Sequence, residues 1–321
     1  MREPAFREQN RQRWIAFEEL LKEGANPGPD EMADIYVQVS EDLAYARTYY
    51  GGSKAELYLN NLAARVHEKV YRNRKEKKRR FAEFWLQDLP MLMYKHRKQL
   101  YLSFVMFIIP VFIGALSAAV EPGFVRFVLG DGYVEMTLDN IEKGDPMGVY
   151  KGMSPYLMFL YITINNITVS FKTFLFGVIG PLGTLYILFI NGVMVGSFQY
   201  FFVNEGQFLT SFLAIWIHGT LEISAIVIAG CAGLVFGNSF VFPGTYSRWH
   251  GFKQGARDGL KILLGLVPVF IMAGFLESFV TRHYQLNPVV NLTIIMLSAL
   301  FIIGYFLIYP VIVNRRHHES V

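Results

Sequence analysis

Six stretches of the chain are long and apolar enough to cross a membrane as helices, which takes about 20 mostly apolar residues. They run over about 99–120, 154–171, 177–202, 208–236, 260–280 and 289–313. The turn between the second and third stretches stays open, because either Lys172 or the cluster of Gly177, Gly180, Pro181 and Gly183 fits it. The pattern predicts an all-α, polytopic membrane helix bundle of about six transmembrane helices in residues 99–321.

The first 98 residues have a different pattern, with apolar residues at helical spacing between polar ones. Residues 24–30, which include two prolines, and the pair Gly51-Gly52 divide this region into three helices. Ser53 and Glu56 have the spacing of a capping box at the start of the third helix. The pattern predicts an N-terminal helical head over residues 1–98 whose apolar stripes pack together. A groove for a partner is the alternative.

Composition separates the same two regions. Charged residues make up 17% of the chain, against about 25% in an average soluble domain. Of the 30 Lys and Arg residues, 19 lie in residues 1–98. The remainder is too apolar for a soluble enzyme or a disordered chain, and the single cysteine, Cys231, excludes an intramolecular disulfide.

The distribution of Lys and Arg predicts the orientation, because cytoplasmic loops carry an excess of basic residues. With both termini in the cytoplasm, 26 of the 30 basic residues lie inside. The outer side then receives only Arg126, Lys143, Lys151 and Arg282. The polar N-terminus shows no cleavable signal peptide.

A run of basic residues precedes the first span. It spans residues 72–80 and holds seven basic residues, and the expected headgroup contacts among them are Arg74, Lys75, Lys77, Lys78, Arg79 and Arg80. Next to a span, such a run favours contact with anionic lipid headgroups, at about 1 kcal/mol per charge, and we expect no nucleic-acid partner. Residues 81–94 should then lie along the membrane interface, with Trp85 at headgroup depth.

Residues 121–153, between the first two spans, form an amphipathic extracytoplasmic segment with a net charge of −3. A packed surface helix with a solvated face is the first interpretation. A lid over the bundle and a docking surface for an extracytoplasmic protein remain alternatives.

Polar side chains inside the predicted spans are costly and require partners. Asn165 and Asn166 lie in the second span, and His218 and Glu222 share one face of the fourth because they are four residues apart. Three interpretations stay open for this intramembrane polar cluster: structural hydrogen bonds between helices, a water-filled path, or a metal site. Two ligands do not complete a metal site. The sequence therefore predicts no metal, no cofactor and no catalytic residue.

Glycines in the spans indicate close helix packing. Gly192 and Gly196 form a small-xxx-small pair on the third span, Gly233 and Gly237 form another on the fourth, and Gly219 adds room. Such faces fit the core of a single chain or the interface of a homodimer, and the sequence leaves this choice open.

Several of these positions together resemble one family. In the head they are residues 35–36, 42–47, 58–67 and 71–72; in the spans they are Asn165-Asn166, Asn191-Gly192 with Gly196, His218-Gly219, Leu221-Glu222 and the small-residue run 225–237. Over about residues 12–310 the chain resembles the stage II sporulation protein M family.

The resemblance implies a non-enzymatic integral membrane protein of the bacterial cytoplasmic (inner) membrane. It implies a scaffold that holds peptidoglycan-remodelling partners of the cell envelope. The alternative is a transporter or channel that uses Asn165, Asn166, His218 and Glu222. An intramembrane metal-dependent enzyme is less favoured.

Overall fold

The computed structural model describes residues 2–21, 28–72, 81–285 and 287–319. Across these ranges the chain is helical and contains no strand. Contacts divide it into two compact units, residues 1–80 and 81–321. The prediction of an all-α fold with six membrane-length helices is confirmed.

The head is a three-helix unit. It consists of α1 (Glu3–Leu21), α2 (Pro29–Tyr49) and α3 (Lys54–Arg72). Its apolar stripes form a shared core, in which Val39, Leu59 and Val66 are almost fully buried. The capping box forms in part, because the Glu56 amide donates to Ser53 Oγ at 3.2 Å, while the Glu56 carboxylate accepts from Gly52 rather than Ser53.

The membrane unit begins with a short segment and the first span. A π-helical turn (Phe84–Asp88) leads into α4 (Leu89–Lys95) and then α5 (Arg97–Val120). Two short helices follow, α6 (Pro122–Leu129) and α7 (Asp131–Glu142), with a 3-10 turn at Gly148–Lys151. The predicted outer segment therefore contains ordered helices of its own.

The remaining five spans follow in order. They are α8 (Pro155–Leu175), α9 (Pro181–Asn204), α10 (Phe208–Val241), α11 (Arg248–Phe275) and α12 (Pro288–Ile302). Helix α11 is extended by a π-helical turn at Leu276–Val280 and a 3-10 turn at Thr281–His283. Helix α12 continues through a π-helical stretch into α13 (Tyr309–Glu319).

Helix α10 is the centre of the bundle. Of its membrane-length segment 83% is buried, against at most 50% in any other span. It packs against all five other spans. This explains why polar residues on α10 face protein rather than lipid.

The turn between the second and third spans falls at the glycine cluster. Helix α8 passes Lys172 and ends in a 3-10 turn at Phe176–Ile179. Gly180 then takes φ 95°, in the region that favours glycine, and Pro181 starts α9. The choice that the sequence left open is thereby settled.

Four of the five predicted packing glycines lie at close helix contacts. A Cβ at Gly192 would lie 2.6 Å from the Phe107 carbonyl oxygen, and one at Gly196 would meet the Val111 carbonyl of α5. Gly233 and Gly237 lie against the ends of α8 and α9. Gly219 has only side chains of its own helix nearby, so it does not mediate a helix contact.

The segment before the first span packs onto the bundle. Leu89 and Met93 are buried, and Tyr305 donates to the Trp85 carbonyl at 2.7 Å. The sequence groups this segment with the head, whereas its contacts are with the membrane unit. The predicted headgroup contacts, Arg74, Lys75, Lys77, Lys78, Arg79 and Arg80, lie outside the described residues.

Candidate functional site

Three ionisable side chains from two spans meet inside the bundle. His218 and Glu222 lie one turn apart on α10, and Glu277 lies in the π-helical turn that extends α11. One ligand atom from each lies within 4.8 Å of the others, and His218 Nε2 is 3.8 Å from Glu277 Oε2. We call these three residues the His–Glu–Glu cluster. The π-helical turn is typical of functional sites, where it redirects a side chain.

The His218 ring is held in one orientation. Its Nδ1 lies 3.0 Å from Thr281 Oγ1, in the 3-10 turn after Glu277. The Tyr150 ring packs against it edge to face, with 5.7 Å between ring centroids. With the Nδ1 proton donated to Thr281, the Nε2 lone pair faces Glu277.

The two asparagines of the second span behave differently. Asn166 is 3% exposed and faces the Glu222 carboxyl, yet its Nδ2 has no partner within hydrogen-bonding distance among the described groups. Asn165 is exposed on the outside of α8, because adjacent residues of a helix point about 100° apart. Of the four predicted cluster members, the structure therefore brings together Asn166, His218 and Glu222, but not Asn165.

A partly open cavity of about 190 Å³ adjoins the cluster. Its polar walls come from His218, Glu222, Glu277 and, on α9, Asn191 and Gln199. The rest of the lining is mainly apolar. Among the described residues that line it there is no Lys, Arg, Ser, Thr or Cys. The cavity thus offers acceptors for a proton or a cation, and the hydroxyl in its described lining is that of Tyr150.

The segment 121–153 covers this end of the bundle. Arg282 donates to the carbonyls of Tyr150 (3.2 Å) and Met153 (2.8 Å). Val134 and Met147 are buried with residues of α9 and α10. Because Tyr150 reaches His218 and lines the cavity, the segment combines the packed surface and the lid that the sequence left as alternatives.

A carboxylate links the same segment to the turn between the last two spans. Asp145 accepts hydrogen bonds from Lys151 Nζ (2.7 Å) and Tyr284 OH (2.9 Å). Partial burial works to raise the pKa of Asp145, but these two donors outweigh it and lower the pKa below its usual value.

Sequence reasoning missed Glu277. The signal was present, because Glu277 falls inside the fifth predicted span, and an acidic residue there is as costly as Glu222. Because Glu277 lies near the end of that span, the sequence analysis did not single it out. Tyr150 and Thr281 gave no such signal, since neither is ionised at neutral pH.

Two family models match the chain, one in the head and one in the region that contains the site. Residues 4–72 of the head match a separate family, a domain of unknown function (DUF8413). No curated protein and no solved structure matches the chain. The family model for stage II sporulation protein M matches residues 103–282, which is more than half of the chain and includes all three members of the His–Glu–Glu cluster. The chain is thus a multi-pass membrane protein that belongs to the stage II sporulation protein M family.

Proposed function

We propose that this protein is a non-enzymatic scaffold of the bacterial cytoplasmic membrane that holds partners involved in remodelling the cell envelope. The observation that carries the proposal is membership of the stage II sporulation protein M family over residues 103–282. Among its described residues the cavity lining includes no Ser, Thr or Cys, and its hydroxyl is that of Tyr150. Thr281, the hydroxyl nearest His218, is buried and outside that lining.

The arrangement in the membrane is part of the proposal. The excess of Lys and Arg supports a topology with both termini in the cytoplasm. In this topology we propose that the basic run contacts anionic headgroups and that segment 121–153 lies on the outside. Envelope partners would bind that outer segment, whose charged side chains Asp131 and Glu135 are 78% and 67% exposed.

Site-specific photo-crosslinking in the host cell tests the scaffold. A photoreactive residue replaces Glu135 in segment 121–153. The control replaces Leu182, an exposed apolar residue at the start of α9, the end of that span away from segment 121–153. We expect position 135 to crosslink a peptidoglycan-degrading enzyme and position 182 not to do so. If position 135 yields no such adduct in cells that remodel their envelope, the outer segment is not the binding surface.

The cavity favours a second candidate, a transport or channel function. Its volume of about 190 Å³ exceeds the share of a single water molecule, about 30 Å³, and its walls carry two carboxylates. Liposomes that contain the protein and a pH-sensitive dye test this candidate. A proton or cation flux that Glu222→Gln removes would favour it, whereas a permeability equal to that of empty liposomes would exclude these ions as substrates.

A further inference from the structure

We propose that the His–Glu–Glu cluster binds one divalent transition-metal ion, with Zn²⁺ as the best fit, and thereby joins α10 to α11. The ligands are His218 Nε2 and one carboxylate oxygen each from Glu222 and Glu277. The proposal goes beyond the scaffold function and does not depend on it.

Charge balance is the first argument. Two carboxylates lie close together, the Glu277 side chain being 14% exposed, and no Lys or Arg is among the described residues that line their cavity. Two neighbouring carboxylates that are mostly shielded from water are not both ionised unless a cation compensates them. One divalent ion neutralises both, while the imidazole binds in its neutral form.

Geometry is the second argument. Zinc binds nitrogen and oxygen ligands at about 2.0–2.2 Å, which puts ligand atoms of a tetrahedral site about 3.4 Å apart. His218 Nε2 and Glu277 Oε2 are already 3.8 Å apart, and the whole set lies within 4.8 Å. Small rotations of the carboxylates close the difference. The fourth position faces the cavity, where water completes the coordination.

The surroundings of the cluster are the third argument. A metal-bound histidine usually donates its other N–H to a fixed acceptor, and Thr281 Oγ1 lies 3.0 Å from Nδ1. The Nε2 lone pair and the Glu277 carboxylate then face each other as two acceptors, an arrangement that needs a cation or proton between them. Asn166 is buried with an unpartnered Nδ2 and faces Glu222, so a small rotation of its amide would let it donate to the second Glu222 oxygen.

Metal content of the purified protein tests the proposal. The protein carries no polyhistidine tag, and His317 and His318 are replaced by alanine throughout, because adjacent histidines at the C-terminus bind zinc themselves. After chelator treatment, the full chain in detergent is loaded with Zn²⁺, freed of excess metal and measured by mass spectrometry. We expect about one Zn²⁺ per chain in the unaltered cluster and almost none in Glu222→Gln or Glu277→Gln, because each variant leaves only two protein ligands.

Glu142→Gln is the matched control, because Glu142 is exposed on α7 outside the cluster, and it should retain full metal content. Unchanged binding in Glu277→Gln, or a wild-type protein that retains almost no metal, overturns the proposal and leaves a shared proton between the carboxylates. If the cluster variants aggregate, X-ray absorption of the zinc-loaded wild type decides. One imidazole with oxygen ligands supports the site; several imidazoles, or oxygen ligands alone, contradict it.

Discussion

His218 on the fourth span and Glu277 at the end of the fifth face each other across 3.8 Å inside the bundle. Tyr150, from the segment between the first two spans, packs against the same imidazole. Three distant parts of the chain therefore meet at one buried polar site. The fold of this end of the bundle and the chemistry of the cluster depend on the same contacts.

Close packing of α5 against α9 should tolerate no added methyl group at Gly196. A Cβ there would meet the Val111 carbonyl, and overpacking of this kind costs about 1–3 kcal/mol. We expect Gly196→Ala to lower the melting temperature in detergent. Gly304→Ala is the control, since nothing lies within 4 Å of its added Cβ. An equal drop in melting temperature in both variants would contradict the importance of the close contact between α5 and α9.

Asp258 should hold the segment before the first span onto α11. Its carboxylate binds Lys95 Nζ at 2.6 Å and lies 3.1 Å from His96 Nε2. Asp258→Asn should weaken this docking by about 1 kcal/mol, seen as faster hydrogen exchange in residues 84–95. Arg257→Gln, at an exposed neighbouring position, should leave that exchange unchanged; equal exchange in both variants would contradict the role of Asp258.

The Asp145 contacts should make the stability of segment 121–153 depend on pH. The pKa of Asp145 is lowered in the folded protein, so its stabilisation is present above the unfolded value and is lost as pH falls through the folded pKa. Asp145→Asn should therefore melt at a lower temperature than the wild type at neutral pH. The difference should shrink below pH 3.8, the usual value for the carboxyl.

Asp139→Asn serves as the control for this experiment. Asp139 pairs only with Lys143 in the described part of the chain, and its side chain is 57% exposed. Its variant should melt like the wild type at both pH values. A constant difference between Asp145→Asn and wild type at all pH values would contradict the account.

In the head, Asp42 should be the main polar link between α1 and α2. It accepts from Arg13 at 2.6 Å and from the Trp14 indole at 2.7 Å. Asp42→Ala leaves the buried indole N–H without its partner, which costs about 1–3 kcal/mol, and should speed hydrogen exchange in both helices. Asp34→Ala, at an exposed site on α2, is the control. An equal increase in hydrogen exchange in Asp34→Ala would mean that helix propensity, not the Asp42 hydrogen bonds, causes the effect.

The spans were predictable from sequence because apolar length is a local property. All six were placed, and the structure extends most of them. The largest extension is at the start of α11, which begins at Arg248 rather than near residue 260. That first part of α11 carries charged residues, so hydropathy alone ends the span too early. The glycine turn at Gly180 was recognisable but could not be chosen over Lys172 without the backbone.

The site was only half predictable for a different reason. The spacing of His218 and Glu222 places both on one helix face, whereas the meeting with Glu277 depends on how α10 packs against α11. Likewise, neighbouring positions in sequence do not reveal which of Asn165 and Asn166 faces the core; the structure assigns that place to Asn166. Side-chain partners on other helices become visible only once the packing of the bundle is known.

A cryo-electron microscopy map of the full chain in lipid nanodiscs tests the central claim most directly. The account predicts that His218, Glu222 and Glu277 converge on one point beneath Tyr150, with Asn166 beside Glu222 and Asn165 facing lipid. A map in which Glu277 points into lipid, or in which the segment 121–153 stands away from α10, would contradict it.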